Sequence, residues 1–533
     1  MHRVVVSSER FPDSRQPSKY LLDPPSFFQL HSSFIPSPSD EYNIRKSIQN
    51  VEGKIESVNE EIARLRHALL ELEGSREHLY ESISKHRAVL APIRRLPPEI
   101  LRLVFNFAAE GCAVHYPPPQ RHSMPWTLGY VCSYWREVML SLPQPWAELD
   151  IDLFPLNNYL ADGISFMAKL HSAEQFLKCC LQRSGNELLK FSLRGKGADA
   201  ATRSILTILV EHAERWQEAY LEFDIYDFLS TLSPVMHRLG NLSSLSIFSY
   251  QRPVPVPIVS PFDDAPKLTK LSISGAHNPF YTLILPWHQI THLTSKSNSF
   301  QQGEFIEIMR RTQNLTSFHT DSERILEVAS SHAVLLPHLK KLSVINKGSY
   351  IAKVFQFLII PNLEELCIQA TTPFLGDQTV PMIRQSKCNP THLTFQSSLL
   401  TTSFWEENLG VVLLLSSMRS ITHLNITVIH SSNDIMSRLF LRRAHGPNNF
   451  LPELSSISVD DRLCLSAEKV IDAMSSRIAN YDQATYGAWP KDQNGLKDIV
   501  LKLSRPPPPS YPELERLRAA AEEHGVGIVI EST

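Results

Sequence analysis

Apolar residues recur every three or four positions from Ile44 to Leu90, and this run sets the first element. Ile44, Val51, Val58, Leu65, Leu72 and Leu79 lie seven apart, with Ile48, Ile55, Ile62, Leu69, Ile83 and Leu90 between them. The alternation holds over about six heptads, broken only by Arg76 and His86. A 3.5-residue repeat keeps one stripe of a helix facing a second helix. Residues 41–91 are therefore predicted to form a coiled-coil helix, with Ile48, Val51, Ile55, Val58, Ile62, Leu65, Leu69 and Leu72 in its seam. Ile at the first core position with Val or Leu at the second suits a parallel two-stranded coil, and Glu61 and Arg66 flank the seam. A homodimer through this helix is expected; the alternative is one long helix laid on its own chain. Residues 1–40, rich in Ser and Pro (PDSRQPS, DPPS, IPSPSD), lack such periodicity and read as a disordered tail.

A pattern of helical period follows Pro92. Leu96-Pro97-Pro98-Glu99 reads as a helix start, with Pro at the first helical position and an acid in the first turn. Ile100, Leu101, Val104 and Phe105 continue at helical spacing as one apolar face. Beyond a Pro-rich interruption (Tyr116-Pro117-Pro118-Pro119), Val131, Cys132, Trp135, Val138 and Met139 mark another helix, with Arg136 and Glu137 towards water. Two short helices cannot cover that much apolar surface with each other, so either the downstream domain or another protein must cover the remainder.

From Trp146 onward the unit is Leu-x-x-Leu-x-Leu/Ile. Examples are Trp146–Leu149–Ile151, Leu188–Phe191–Leu193, Leu242–Leu245–Ile247, Leu268–Leu271–Ile273, Leu339–Leu342–Val344, Leu363–Leu366–Ile368 and Ile421–Leu424–Ile426. Starts at 242, 268, 290, 315, 339 and 363 are 22 to 26 apart, the leucine-rich repeat period, in which each unit supplies one strand and a return segment. No unit buries its own apolar face; stacking makes the core. The expected architecture is thus an α/β solenoid, a leucine-rich repeat horseshoe over residues 150–533, with helix-like returns at Glu304–Arg311 and Tyr350–Leu358. A last helix and strand (about 511–533) should cap it, after the Pro-rich linker Arg505–Tyr511. Outward positions between the repeat leucines are the candidate recognition surface: Ser244, Ser246, Lys270, Ser272, Lys341, Ser343, Glu365 and Cys367.

The string Leu-Pro-x-Glu-Ile-Leu-x-x-Val-Phe at 96–105, then Val-Cys-x-x-Trp-Arg at 131–136 and Pro-x-Pro-Trp at 143–146, resembles the F-box in the divergent form of mushroom-forming fungi. The resemblance covers residues 92–149 as a small all-α module. It implies docking to a Skp1-type adaptor, and through it to a cullin and a RING protein. By position, Leu96, Pro97, Ile100, Leu101, Val104 and Phe105 match the leading docking helix, and Val131, Cys132 and Trp135 the later one. The gap from Phe105 to Val131 is longer than in compact F-boxes, with prolines where a middle helix would begin. What the resemblance implies overall is the substrate-recognition subunit of an SCF-type ubiquitin ligase, holding a protein target on its repeats. The competing expectation is a dimeric coiled-coil/leucine-rich-repeat scaffold that binds no adaptor.

Composition narrows this further. At 533 residues the chain exceeds one hydrophobic core, and a 43% apolar fraction is near the globular norm. A formal charge of −3 gives no bias towards nucleic acid or anionic membrane. Seven scattered cysteines, with no signal peptide and no apolar run of spanning length, point to a reducing intracellular compartment, cytoplasm or nucleus. No phosphate-binding glycine loop, HExxH helix or paired CxxC motif occurs, so no enzyme, cofactor or metal is expected. Cys112, His115, His122 and Cys132 lack the spacing of a zinc set and read as loop and helix residues, Cys132 as a small apolar residue of the docking face. Cys179-Cys180 reads as helix packing. His292, His338, His392 and His423, each preceding a leucine, read as outward strand positions, and Asp263-Asp264 and Asp460-Asp461 as loop acids.

Overall fold

The structure is a computed structural model. It describes residues 35–532 apart from 118–123, 160–162, 197–198, 250–259, 276–282, 297–298, 322–323, 327–332, 347–354, 371–374, 398–412, 429–450, 452, 462–495 and 504–511. The chain divides into two compact units, Met1–Pro97 and Pro98–Thr533.

The first unit is dominated by one helix, α1 (Pro38–Leu90), 53 residues long. Its start is fixed by a reciprocal cap. The Asp40 N–H donates to the Ser37 hydroxyl at 3.3 Å, and the Ser37 N–H donates to the Asp40 carboxylate at 3.1 Å. These bonds satisfy donors that a helix end otherwise leaves open, and the Ser37 hydroxyl, donating to the Asp40 carboxylate at 2.6 Å, followed by the Ser37 N–H, holds that carboxyl below its ordinary value. The helix therefore begins three residues before its expected start, and Pro38, Ser39 and Asp40, read as tail, are its first turn. The rest of the predicted tail, residues 1–34, lies outside the described residues. Pro92 ends the helix and opens a 3₁₀ turn, Pro92–Arg95. No residue of α1 is buried.

The second unit starts with three helices: α2 (Pro98–Ala109), α3 (Met124–Val131) and α4 (Ser133–Leu140). Fifteen strands among the described residues form a parallel sheet, the first lying between α2 and α3: β1 (Val114–Tyr116), β2 (Glu148–Asp152), β3 (Leu189–Arg194), β4 (Trp216–Glu222), β5 (Ser244–Ser249), β6 (Lys270–Gly275), β7 (His292–Lys296), β8 (Ser317–Asp321), β9 (Lys341–Asn346), β10 (Glu365–Ala370), β11 (His392–Ser397), β12 (His423–Val428), β13 (Ser456–Asp461), β14 (Asp498–Leu503) and β15 (Gly527–Ser532). Each strand pairs with the one before it in the chain. Parallel neighbours need crossovers. The described ones include α5 (Gly163–Arg183), α6 (Ala200–Glu211), α7 (Gln302–Arg311), α8 (Leu375–Ser386) and α9 (Pro512–His524).

The register explains why alternate residues are apolar. Leu245, Leu271, Leu293, Phe318, Leu342, Leu366, Leu393, Leu424, Ile457 and Ile499 stand opposite one another across consecutive strands, all buried. A second inward row runs through Ile247, Ile273, Ser295, Thr320, Val344, Ile368, Phe395, Ile426, Val459 and Leu501. Between the rows the side chains turn outward and are half-buried or exposed, as in the alternating burial of β6. Fully parallel sheets commonly bury both faces. Here one face is left to other uses.

Polar residues just before the strands stitch the units together. Hydroxyls of Ser243, Thr316, Thr422 and Ser455 donate to the carbonyls of Gln217, Thr291, Thr391 and Thr422 of the preceding unit, at 3.0–3.1 Å. The Asn241, Asn314 and Asn362 amides donate to the carbonyls of Glu214, His288 and Pro337 at 2.7–2.9 Å. The carbonyls of Gln217, Thr291, Thr391 and Thr422 also accept backbone N–H groups, so there the hydroxyls reinforce bonds already made.

Three expectations are corrected. The boundary at 149/150 falls inside β2, and β1 from the segment 92–149 pairs with it, so that segment is neither all-α nor separate. Within Tyr350–Leu358, residues 350–354 lie outside the described set, and Leu358 opens a short strand, Leu358–Ile359, paired with Val334–Leu335. Asp460 and Asp461 end β13 and are not loop acids. The helix and strand near 511–533 form as expected, although β15 is the sheet's last strand and Val529 stays exposed on it; the Arg505–Tyr511 linker lies outside the described residues. Among the described residues no helix is long and apolar enough to cross a membrane.

Candidate docking surface

Helix α2 carries two apolar stripes. Leu101, Phe105 and Ala109 form the buried one, with Leu101 and Phe105 at 0% exposure. Phe105 meets Trp135 of α4 edge to face, with centroids 4.9 Å apart. Val138 and Met139 are buried beside Trp135 on the same helix. The second stripe is Ile100, Leu103, Val104 and Phe107, one face at i, i+3, i+4, i+7, and all four are exposed. Leu103 is 66% and Phe107 81% exposed. Helices α2, α3 and α4 contact one another, and α3 and α4 add exposed Met124, Tyr130, Val131 and Leu140.

The predicted docking set therefore splits. Ile100, Val104 and Val131 are exposed and available. Leu101, Phe105 and Trp135 are removed from it, because all three are buried, Phe105 and Trp135 against each other across α2 and α4. Cys132 is half-buried and caps α4, its sulfur accepting the Trp135 N–H at 3.5 Å. Leu96 and Pro97 end the first unit; the Leu96 N–H donates to the Ile93 carbonyl at 3.3 Å, and Pro97 is exposed. The sequence reading missed Leu103 and Phe107. Their i+3 spacing from Ile100 and Val104 was the available signal.

The surface stands on a braced base. The Trp146 indole N–H donates to the Met139 carbonyl at 3.3 Å. The Arg183 guanidinium, from the end of α5, lies 4.5 Å over the Trp146 ring, and Trp126 of α3 meets Trp146 edge to face. Buried Tyr116 of β1 donates its hydroxyl to the Lys169 carbonyl at 3.1 Å. The insertion where a middle helix was expected thus ties the helices to the sheet.

On the outward sheet face the register gathers the predicted recognition residues into two rows. Ser244 stands opposite Lys270, and Lys341 opposite Glu365; Ser246 stands opposite Ser272, and Ser343 opposite Cys367. Strands β7 and β8, which the prediction skipped, complete the rows with His292 and Ser317, and with Thr294 and His319. Lys341 pairs with Glu365 at 2.8 Å, and His319 Nδ1 is 2.8 Å from the Ser343 hydroxyl. Burial first, and then nearby lysines, push His292 and His319 below the ordinary imidazole range. Towards the N-terminal end, Asp150 receives Arg194 at 2.9 Å and His115 at 2.8 Å. His292, His392 and His423 take the expected outward positions. His392 and His423 stack face to face, with centroids 4.2 Å apart.

The other candidate residues have settled local roles. Cys112 donates to the Ala108 carbonyl, and His122 lies outside the described residues. Cys179 and Cys180 lie on α5, and burial, then the neighbouring Cys179, pushes the Cys180 thiol up to about 12. Among the described residues no group of three metal donors comes together. No protein-family model matches the chain, and no curated protein matches it.

Proposed function

We propose that the chain is a substrate receptor of an SCF-type ubiquitin ligase, docking a Skp1-type adaptor through α2 to α4 and holding a protein target on the open sheet face. The exposed stripe Ile100, Leu103, Val104 and Phe107 carries this reading. A monomer gains nothing by presenting a phenylalanine and a leucine to water beside two more aliphatics, whereas a groove in a second protein would remove them from it. The sequential parallel order and the 22 to 26 residue period support the finer view of the sheet as a leucine-rich repeat solenoid.

In this reading the chain makes and breaks no covalent bond. It raises the local concentration of target lysines near a charged conjugating enzyme that the adaptor and cullin bring. The mixed Lys, Glu, His and Ser character of the open face suits a protein target. A scaffold without an adaptor is favoured by one observation: Leu101, Phe105 and Trp135 are used internally. It leaves the exposed stripe unexplained.

Co-purification with a Skp1-type adaptor tests the proposal. Wild-type protein should retain the adaptor, and Leu103→Ala/Phe107→Ala should lose it with an unchanged melting temperature. Retention by neither protein would favour the scaffold, and equal retention by both would take the adaptor contact away from this stripe.

A further inference from the structure

We infer that α1 pairs with α1 of a second copy of this chain as a parallel, in-register two-stranded coil. Most of the stability of a protein helix comes from packing an apolar face. Helix α1 has such a face and buries no residue of it, Val51 alone being half-buried. Ile55 is 55% exposed, Leu65 59% and Leu72 69%, and Leu69, Leu79, Ile83 and Leu90 are also exposed. All lie on the seven-residue repeat.

A second copy fits this face by area and by charge. Twelve apolar seam residues per chain, from Ile44 to Leu90, would remove on the order of 2,000 Å² from water in a pair, within the range of stable homodimers. With Ile48, Ile55 and Ile62 at one core position and Val51, Val58 and Leu65 at the other, the flanking positions can be read directly. In a parallel pair Glu61 faces Arg66 of the second copy, twice by symmetry. The other flanking pairs (Ser47 with Glu52, Lys54 with Asn59, Ala68 with Glu73, Ser75 with Tyr80, Ser82 with Arg87) include no like charges. In an antiparallel pair with matched ends, Arg66 would meet Arg66, and Arg45 would meet Arg87. Like charges at such sites oppose pairing.

Three further details fit. Arg76 and His86 occupy core positions, and polar layers of this kind fix register at a cost in stability. Gly53 and Gly74 both fall on the position farthest from the seam, and a Cβ at either would meet nothing. The ion pairs Arg45–Glu41, Arg64–Glu61 and Lys85–Glu81 lie within the helix, and Glu61 would be shared between its own Arg64 and Arg66 of the second copy. Parallel pairing brings both chains to the same end of the coil at Leu90, a few residues before Pro98 starts each α2. The inference does not rest on adaptor docking.

Light scattering on the purified full-length chain tests the pairing. The expected mass is that of two 60.5 kDa chains. Ile55→Asp/Leu72→Asp should halve it while leaving the main thermal transition in place, since neither residue is buried. A wild-type mass of one or three chains, or a variant that remains a pair, would overturn the inference. Direction is read by Leu79→Cys under mild oxidation. A parallel coil sets the two new thiols opposite each other and should give a covalent dimer absent from oxidised wild type; no such dimer would overturn the parallel arrangement.

Discussion

Phe105 and Trp135 meet edge to face at 4.9 Å and 61°, while Phe107, two residues along the same helix, stays 81% exposed. About half a turn of α2 thus separates a residue that holds the module together from one offered outward. Phe105→Ala should cost about 3–5 kcal/mol, the usual price of emptying a buried aromatic site. Phe107→Ala should stay within about 0.5 kcal/mol of wild type. Thermal unfolding of the two variants checks this, and equal losses would dissolve the distinction.

This split also shows what the sequence could not convey. Ile100, Leu101, Val104 and Phe105 share helical spacing, so they look like a single face. Only the position of Trp135 divides them, with Leu101 and Phe105 turned in and Ile100 and Val104 left out. The sheet was legible because its signal is local: alternation around Leu245, Leu271 and Leu342 states which side chains face inward, whatever follows. Strand β1 was not. Its three residues, Val114, His115 and Tyr116, pair with Leu149, Asp150 and Ile151. Nothing within three residues announces a partner 35 positions away. The hydroxyls before the strands were likewise invisible as stitches, since a Thr ahead of a strand looks like any turn residue until its acceptor is placed.

Ser386, buried at the end of α8, offers a second test. Its hydroxyl oxygen accepts the Ile360 N–H at 2.9 Å. Ser386→Ala removes the acceptor and leaves a buried donor unpaired, which should cost about 1–3 kcal/mol. Ser417, whose hydroxyl donates to the Leu414 carbonyl from a half-buried position, is the control. Ser417→Ala should cost less, because water can reach the site. Melting temperatures that fall equally would show that burial does not separate them.

Cysteine labelling gives a third outcome. Burial holds the Cys180 and Cys388 thiols above their ordinary range, Cys180 at about 12. Thiolate is the reactive form. At pH 8 iodoacetamide should modify half-buried Cys112, Cys132, Cys179 and Cys367 before either of these two. In denaturant the difference should vanish. Mass spectrometry of the peptides reads the order, and early alkylation of Cys180 in folded protein would contradict the burial.

Acid should weaken the fold through histidine before it does so through carboxylates. Burial is the first cause lowering His212, His292, His319 and His423, followed by Arg215 for His212, Lys270 for His292, Lys296 for His319 and His392 for His423. Each therefore stays neutral in the folded chain at a pH where the unfolded chain has begun to bind a proton, near 6.5. A depressed imidazole contributes its stability in full above that value, and the contribution is lost as pH falls from 6.5 through the folded-state value. Glu214, lowered by its hydrogen bond to Arg238, loses its contribution only below 4.5. The melting temperature should thus hold from about pH 8 to 7 and then fall as the pH drops below about 6.5. His319→Gln removes one of the four groups while leaving an amide beside Ser343. It should flatten that fall even if it lowers stability at pH 7.5; a slope equal to that of wild type would mean that His319 takes no part in the transition.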